Sequence, residues 1–216
     1  MKYLKLFENF KSRIFNFSED YKNKRPIVHK AKPGDFITID EPNDSNYSQS
    51  SQWIHGEVYL TEENLVAYHG GMIDNIADNV EDYIKNKGGL YLTRDLYASS
   101  GWPGGVTTGK KPPLTRVYEI KIKSNSLFIN STPAAQDVDG LFNERDLLKP
   151  MGIVGMSDKN FRFNKHIKNE GTTGSEGLII NSDAIESFRA IPFSELLTYY
   201  EGLENGNFPG LEKLKS

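Results

Sequence analysis

Cysteine is absent from this chain of 216 residues, which excludes disulfides, thiolate metal sites and a cysteine nucleophile. Its absence suits a reducing compartment such as a cytoplasm. No apolar run approaches the roughly 20 residues that a membrane-crossing helix needs. Strong charge of one sign is missing as well. The formal net charge is −3, which predicts no general attraction to nucleic acid or to an anionic membrane. Histidine is scarce, and His29, His55 and His166 lack the partner spacing of a metal site, so no metal is expected. No G-x-G-x-x-G follows a strand-like segment, and neither a P-loop nor an H-E-x-x-H run occurs. A Rossmann nucleotide site and the helix-borne zinc site are therefore not expected.

What remains is a chain of ordinary core-forming capacity, 37% hydrophobic and 25% charged, with the length of one large domain or of one domain plus an extension. Tyr3, Phe7, Phe10, Ile14 and Phe17 recur at three- and four-residue intervals, which predicts a short amphipathic helix. Lys5 and Glu8 interrupt its apolar side, and no small-residue cleavage site follows, so it does not read as a secretory leader. Residues 18–34 carry Pro26 and Pro33 and read as an irregular connector. Phe36, Ile37, Thr38 and Ile39 alternate like a strand. The polar stretch 41–52 has nothing to bury and reads as a flexible loop. It is not read as a domain boundary, because the strand before it needs a partner. Residues 1–52 thus form an N-terminal extension of helix, strand and loop.

From Trp53 onward the pattern tightens. Residues 65–68 predict a buried strand ending at His69-Gly70-Gly71, and 72–85 a helix halted by Gly88-Gly89. Residues 90–93 form a short strand, 95–100 a helical turn, and 101–113 a Gly/Pro-rich loop with Lys110 and Lys111 exposed. Residues 117–123 and 126–130 read as strands, 134–148 as mostly helix, 178–181 and 185–191 as a closing strand pair, and 194–203 as a last helix. A Gly/Asn-rich tail, 205–216, follows. Strands drawn from distant parts of the chain, without regular alternation with helices, predict an α+β domain and not a doubly wound sheet.

Three segments carry chemistry: Tyr68-His69-Gly70-Gly71, Gly89-Leu90-Tyr91-Leu92-Thr93 and Gly174-Ser175-Glu176-Gly177. Each sets one polar or aromatic group beside an apolar run of strand type. Taken singly, His69 is a turn histidine, Tyr91 a core aromatic and Glu176 a solvated loop carboxylate. Their occurrence together, in this order, carries the functional reading.

In that order and spacing they resemble the ADP-ribosyltransferase superfamily, in the branch with diphtheria toxin and the poly(ADP-ribose) polymerases. The first family motif is a strand ending in Tyr-His-Gly, here Tyr68-His69-Gly70. The second is a Gly-x-Tyr-x-Thr strand, then a helical Ala, then an aromatic eleven residues after the tyrosine, here Tyr91, Thr93, Ala98 and Trp102. The third is a glutamate opening a strand, here Glu176. The resemblance implies split mixed and antiparallel β-sheets with flanking helices, and a catalytic domain over residues 53–204. It implies NAD⁺ as co-substrate and no metal. It makes His69, Tyr91 and Glu176 the catalytic set, and His69, Gly70, Tyr91, Thr93, Ala98 and Trp102 the dinucleotide-binding set. Tyr97 competes with Trp102 for the second wall of the nicotinamide site.

The residue types suit that chemistry. A carboxylate stabilises the positive charge that grows on the ribose as nicotinamide leaves. Facing aromatics hold a cationic ring by stacking and cation–π attraction. Gly70 leaves room for a ligand to approach the main chain.

The arginine-modifying branch carries Glu-x-Glu in its third motif, and this chain has Gly174-Ser175-Glu176, so an arginine acceptor is not expected. In the family the loop before the glutamate, here about residues 166–175 with Lys165 and Lys168 near its start, contacts the acceptor. A single compact domain without obvious processivity elements favours mono- over poly-ADP-ribosyl transfer to a macromolecule, a protein in preference to a nucleic acid. An NAD⁺ glycohydrolase and a non-catalytic protein retaining the fold stand as alternatives. Leu6-Phe7-Glu8 resembles the hydrophobic-x-Glu sites at which large tailed phages trim proteins packaged in their heads. That likeness implies a toxin-like or phage-type effector acting in a host cytoplasm after packaging in a virion.

Overall fold

Strand-forming runs dominate the computed structural model, which describes residues 13–16, 29–39, 54–71, 80–94, 96, 116–131, 145–163, 176–192 and 194–196. In chain order the elements are Ile14–Asn16 (β1), Phe36–Ile39 (β2), Ile54–Leu60 (β3), Leu65–Gly71 (β4) and helix Val80–Lys87 (α1). Leu90–Leu92 (β5), Arg116–Ile122 (β6), Leu127–Asn130 (β7) and helix Arg145–Leu148 (α2) follow. Gly155–Ser157 (β8), helix Lys159–Phe163 (α3), Gly177–Ile179 (β9) and Ile185–Ala190 (β10) complete them. One sheet has seven strands in the order β1-β2-β3-β7-β8-β9-β5, and a second has three in the order β10-β6-β4. The β1–β2 and β7–β8 pairs are parallel and the other named pairs antiparallel. This is an α+β arrangement, mostly sheet, with mixed and antiparallel pairing and few helices. Among the described residues no helix is long and apolar enough to cross a membrane.

Two tight turns pass the chain from one sheet to the other. Residues 61–64 join β3 to β4, and 123–126 join β6 to β7, each using an asparagine in the left-handed region, Asn64 at φ 56° and Asn125 at φ 59°. Asparagine tolerates that conformation better than most non-glycine residues. Buried Thr61 locks the turns together. Its hydroxyl donates to the Lys123 carbonyl at 2.7 Å and accepts from the Ser126 N–H at 2.9 Å. Its N–H donates to the Ser126 carbonyl at 3.0 Å.

The period-2 alternation of the strands sorts side chains into two large cores and a small third cluster of Val117, Ile191 and Leu196. Leu65, Ala67, Ile120 and Ile122 of the small sheet meet Leu90, Leu92, Phe128 and Ile179 of the large one, under Ile84 of α1. On the other face of the large sheet, Ile37, Ile54, Val58, Ile129 and Leu178 pack with Leu148 of α2 and with Met151. The large sheet is thus buried on both faces. Each fully buried large side chain, such as Phe128 or Phe161, contributes about 1.5–3 kcal/mol relative to exposure. Helix α1 has Glu81 and Asp82 in its first turn and Lys85 and Lys87 in its last, matching the helix dipole. Gly88 at φ 70° ends it.

Two expectations are corrected. The helix expected to run through Ile14 gives way to strand β1 at Ile14–Asn16, and the rest of that segment lies outside the described residues. The reason is tertiary. Arg13 forms a two-pronged ion pair with Asp35, and the Phe36 N–H donates to the Arg13 carbonyl at 2.7 Å. These bonds hold the segment extended beside β2. The expected closing pair is also not a pair. Strand β9 lies between β8 and β5, whereas β10 joins β6 in the other sheet. A 3-10 turn at Ser182–Ala184 separates them, capped by Asn181, whose side chain accepts from the Asp183 N–H at 3.0 Å. The turn redirects the chain before any hairpin can close.

Candidate active site

The strand Leu65–Gly71 carries its buried face on Leu65, Ala67 and His69, so the imidazole points into the space between the sheets. Its neighbour on one side is β6, with His69 opposite Tyr118 and Gly70 opposite Val117. On the other side the chain just beyond β5 approaches. Tyr68 and Thr93 exchange both backbone bonds, at 2.7 and 2.9 Å, and this isolated bridge joins the small sheet to the large one.

His69 Nδ1 lies 2.6 Å from the Tyr91 carbonyl oxygen. A carbonyl only accepts, so Nδ1 carries the hydrogen of that bond. In the neutral ring Nε2 is then an acceptor. Burial lowers the pKa of His69 from its ordinary value, with the bond to Tyr91 opposing, which favours the neutral form. Nε2 is buried and has no hydrogen-bond partner. The Tyr83 ring of α1 meets the imidazole edge-on, with centroids 5.9 Å apart.

Strand β5 links the histidine to the carboxylate. Tyr91 pairs with Leu178 and Leu92 with Gly177, while Ser157 flanks Gly177 from the far side. Glu176 stands one step before β9, and its carbonyl accepts the Asp158 N–H at 2.9 Å. Alternation gives Glu176 the same side as Leu178, and Tyr91, opposite Leu178, shares it. Tyr91 and Glu176 are therefore diagonal cross-strand neighbours, a spacing of about 7–8 Å that rings and long side chains span. Burial raises the Glu176 pKa above its ordinary value, and the nearby negative charge of Asp158 raises it further.

Of the residues singled out in the sequence, His69, Gly70, Tyr91, Thr93 and Glu176 lie on or beside adjoining strands, but not all on one face: His69 points between the sheets, whereas Tyr91 packs with Leu178 on the other face of the large sheet, the side that alternation also gives Glu176. Ala98 and Trp102 lie outside the described residues, as do Tyr97, Lys110, Lys111 and the segment 164–175. His29 and His55 sit elsewhere, His29 against Phe15 and His55 against Thr38 and Phe36. Among the described residues there is no group of three or more His, Cys, Asp or Glu able to hold a metal ion.

Two contributors escaped the sequence reading. Asp158 acts on Glu176 and also accepts the Phe161 N–H at 2.7 Å, which caps α3. An Asp just before a short apolar-spaced run was its available signal. Tyr118 has a buried hydroxyl without a hydrogen-bond partner, and nothing in an alternating strand marks one tyrosine as different. No model of a known protein family matches the chain, and no curated protein matches its sequence.

Proposed function

We propose that the chain is a mono-ADP-ribosyltransferase, which cleaves the nicotinamide–ribose bond of NAD⁺ and passes ADP-ribose to a macromolecular acceptor, a protein in preference to a nucleic acid. One observation carries the reading. His69, Tyr91 and Glu176, separated in sequence, stand on β4, on β5 and just before β9, which are neighbouring strands, with His69 bonded directly to the Tyr91 backbone. The seven- and three-stranded sheets, meeting at that point, also suit the split-sheet architecture of the superfamily.

The chemistry follows from the groups. The unpartnered acceptor Nε2 of His69 fits a hydroxyl of the dinucleotide. The Tyr91 ring stacks on the cationic nicotinamide. Glu176, as carboxylate, hydrogen-bonds the adjoining ribose and stabilises the charge that develops there. The C–N bond breaks with its electron pair leaving on nicotinamide, which departs neutral. The acceptor's nucleophile forms the new bond to the ribose carbon and loses its proton. Action in a host cytoplasm goes with this reading.

The test is incubation with NAD⁺ labelled in the adenosine half together with a host-cell lysate, followed by mass spectrometry. Label on a macromolecule supports transfer. Label recovered only as free ADP-ribose makes the protein a glycohydrolase, and intact NAD⁺ refutes both.

A further inference from the structure

A cavity of about 200 Å³ lies where the turn after β3 leads into β4. Its lining includes Arg94, from just beyond β5, and Arg162 of α3, set against the rings of Tyr59, Phe161 and Phe163. Leu65 fixes its place on β4, four residues and so about 13 Å along the strand from His69. The proposed transfer reaction uses neither arginine.

Each arginine has two kinds of partner. Arg94 Nη1 donates to Glu62 at 2.7 Å and to the Phe161 carbonyl at 3.3 Å. Arg162 Nη1 donates to Glu57 at 2.9 Å. The same guanidinium lies over the Tyr59 ring, 4.3 Å from its centroid, and over the Phe163 ring at 5.0 Å. The arginine side chains are 13% and 20% exposed, their glutamates 56% and 47%. An ion pair with one arm in water is weak, so the carboxylates swing away at small cost. The carbonyl and the rings then keep both cationic forks in place. The glutamates thus mark where anionic oxygens sit against the two arginines.

Charge and walls together define the ligand. A carboxylate has two oxygens and fills one guanidinium fork. A phosphate monoester has three acceptor oxygens and close to two negative charges, enough to bridge both forks. Leu60 and Phe163, at 42% and 56% exposure, are two of the three large apolar side chains exposed among the described residues, and both border this cavity. An apolar or planar body attached to the phosphoryl group would cover them. We propose that the cavity is a second binding site, for a small phosphate monoester. Its phosphoryl group replaces Glu62 on Arg94 and Glu57 on Arg162, and its apolar body lies on Phe163 and Leu60.

The experiment is calorimetric titration of the full chain with phenyl phosphate, inorganic phosphate and benzoate, repeated on Arg162→Lys and on the double variant Glu57→Gln, Glu62→Gln. Thermal unfolding of each protein accompanies it. Wild type should bind phenyl phosphate more tightly than inorganic phosphate, which leaves the apolar rim uncovered, and more tightly than benzoate. Arg162→Lys keeps the charge but loses the fork, and should weaken phenyl phosphate binding about 10-fold. The double variant removes the competing carboxylates and should tighten it several-fold, a gain that arginines with a purely structural role would not give. No binding of phenyl phosphate by wild type or by the double variant overturns the proposal. Equal affinity of wild type and folded Arg162→Lys overturns it as well. Benzoate bound as tightly as phenyl phosphate overturns the phosphate assignment. Displacement of bound phenyl phosphate by NAD⁺ overturns the cavity as a separate site.

Discussion

The imidazole of His69 donates its Nδ1 hydrogen to the main-chain carbonyl of Tyr91 at 2.6 Å, so one side chain fixes a tautomer and ties two strands together. His69→Ala breaks that bond and removes the acceptor Nε2. Urea unfolding should show a loss of about 1–3 kcal/mol, and titration with NAD⁺ a fall in affinity of about 10-fold or more. Unchanged affinity in the folded variant would remove His69 from the binding site.

Glu176→Gln replaces the carboxylate by a neutral group of nearly the same shape. Nicotinamide release should slow by about 100-fold or more, while NAD⁺ binding stays near wild type. Near-wild-type turnover would reject Glu176 as the stabiliser of the developing charge.

The pH dependence follows from the raised Glu176 pKa, caused first by burial and then by Asp158. If the carboxylate form is the active one, as the proposed function requires, activity should rise with pH through a midpoint above the ordinary 4.5. Asp158→Asn keeps the cap on α3 but removes a negative charge, so it should move this midpoint down. Stability runs the other way. Above the unfolded pKa the native state holds the proton longer, so this contribution is full below it and is lost as pH rises through the native value. Comparing unfolding curves of wild type and Glu176→Gln across pH 4.5 and upward checks the sign. An acid limb unmoved in Asp158→Asn would show that the two carboxylates are uncoupled.

Gly56 sits on β3, where an added Cβ would collide with the backbone carbonyl of Asn130. Backbone cannot swing aside as a side-chain tip can, so Gly56→Ala should destabilise by about 1–3 kcal/mol. Thermal unfolding reads the effect; a melting temperature equal to wild type would mean the strand shifts freely there.

Strong alternation made residues 117–123 and 36–39 readable as strands, and Gly88-Gly89 marked the end of α1. His69, Tyr91 and Glu176 were singled out because each lies in or beside a short apolar run of strand type. Strands β3 and β8 were not identified. Ile54–Leu60 contains Gly56 and His55, and Gly155–Ser157 has only Met156 as a large apolar residue, so neither shows a clear period. Their places come from pairing with β2 and β7, which is information outside the local sequence. The β1 expectation failed because spacings of three and four do not register an ion pair such as Arg13–Asp35. Tyr118 was not singled out because its distinction, a buried hydroxyl without a hydrogen-bond partner, leaves no mark in the sequence.

Thr61 fastens the two sheets at the turn leading into β4, and the Tyr68–Thr93 bridge fastens them at the middle of that strand. A strand held at its entry and at its centre resists tilting away from its neighbour. The spacing of the two sheets there is therefore set by the backbone itself. Adjustment to any guest falls to side chains and to the segments leading into and out of these strands, while the strands act as a rigid jig.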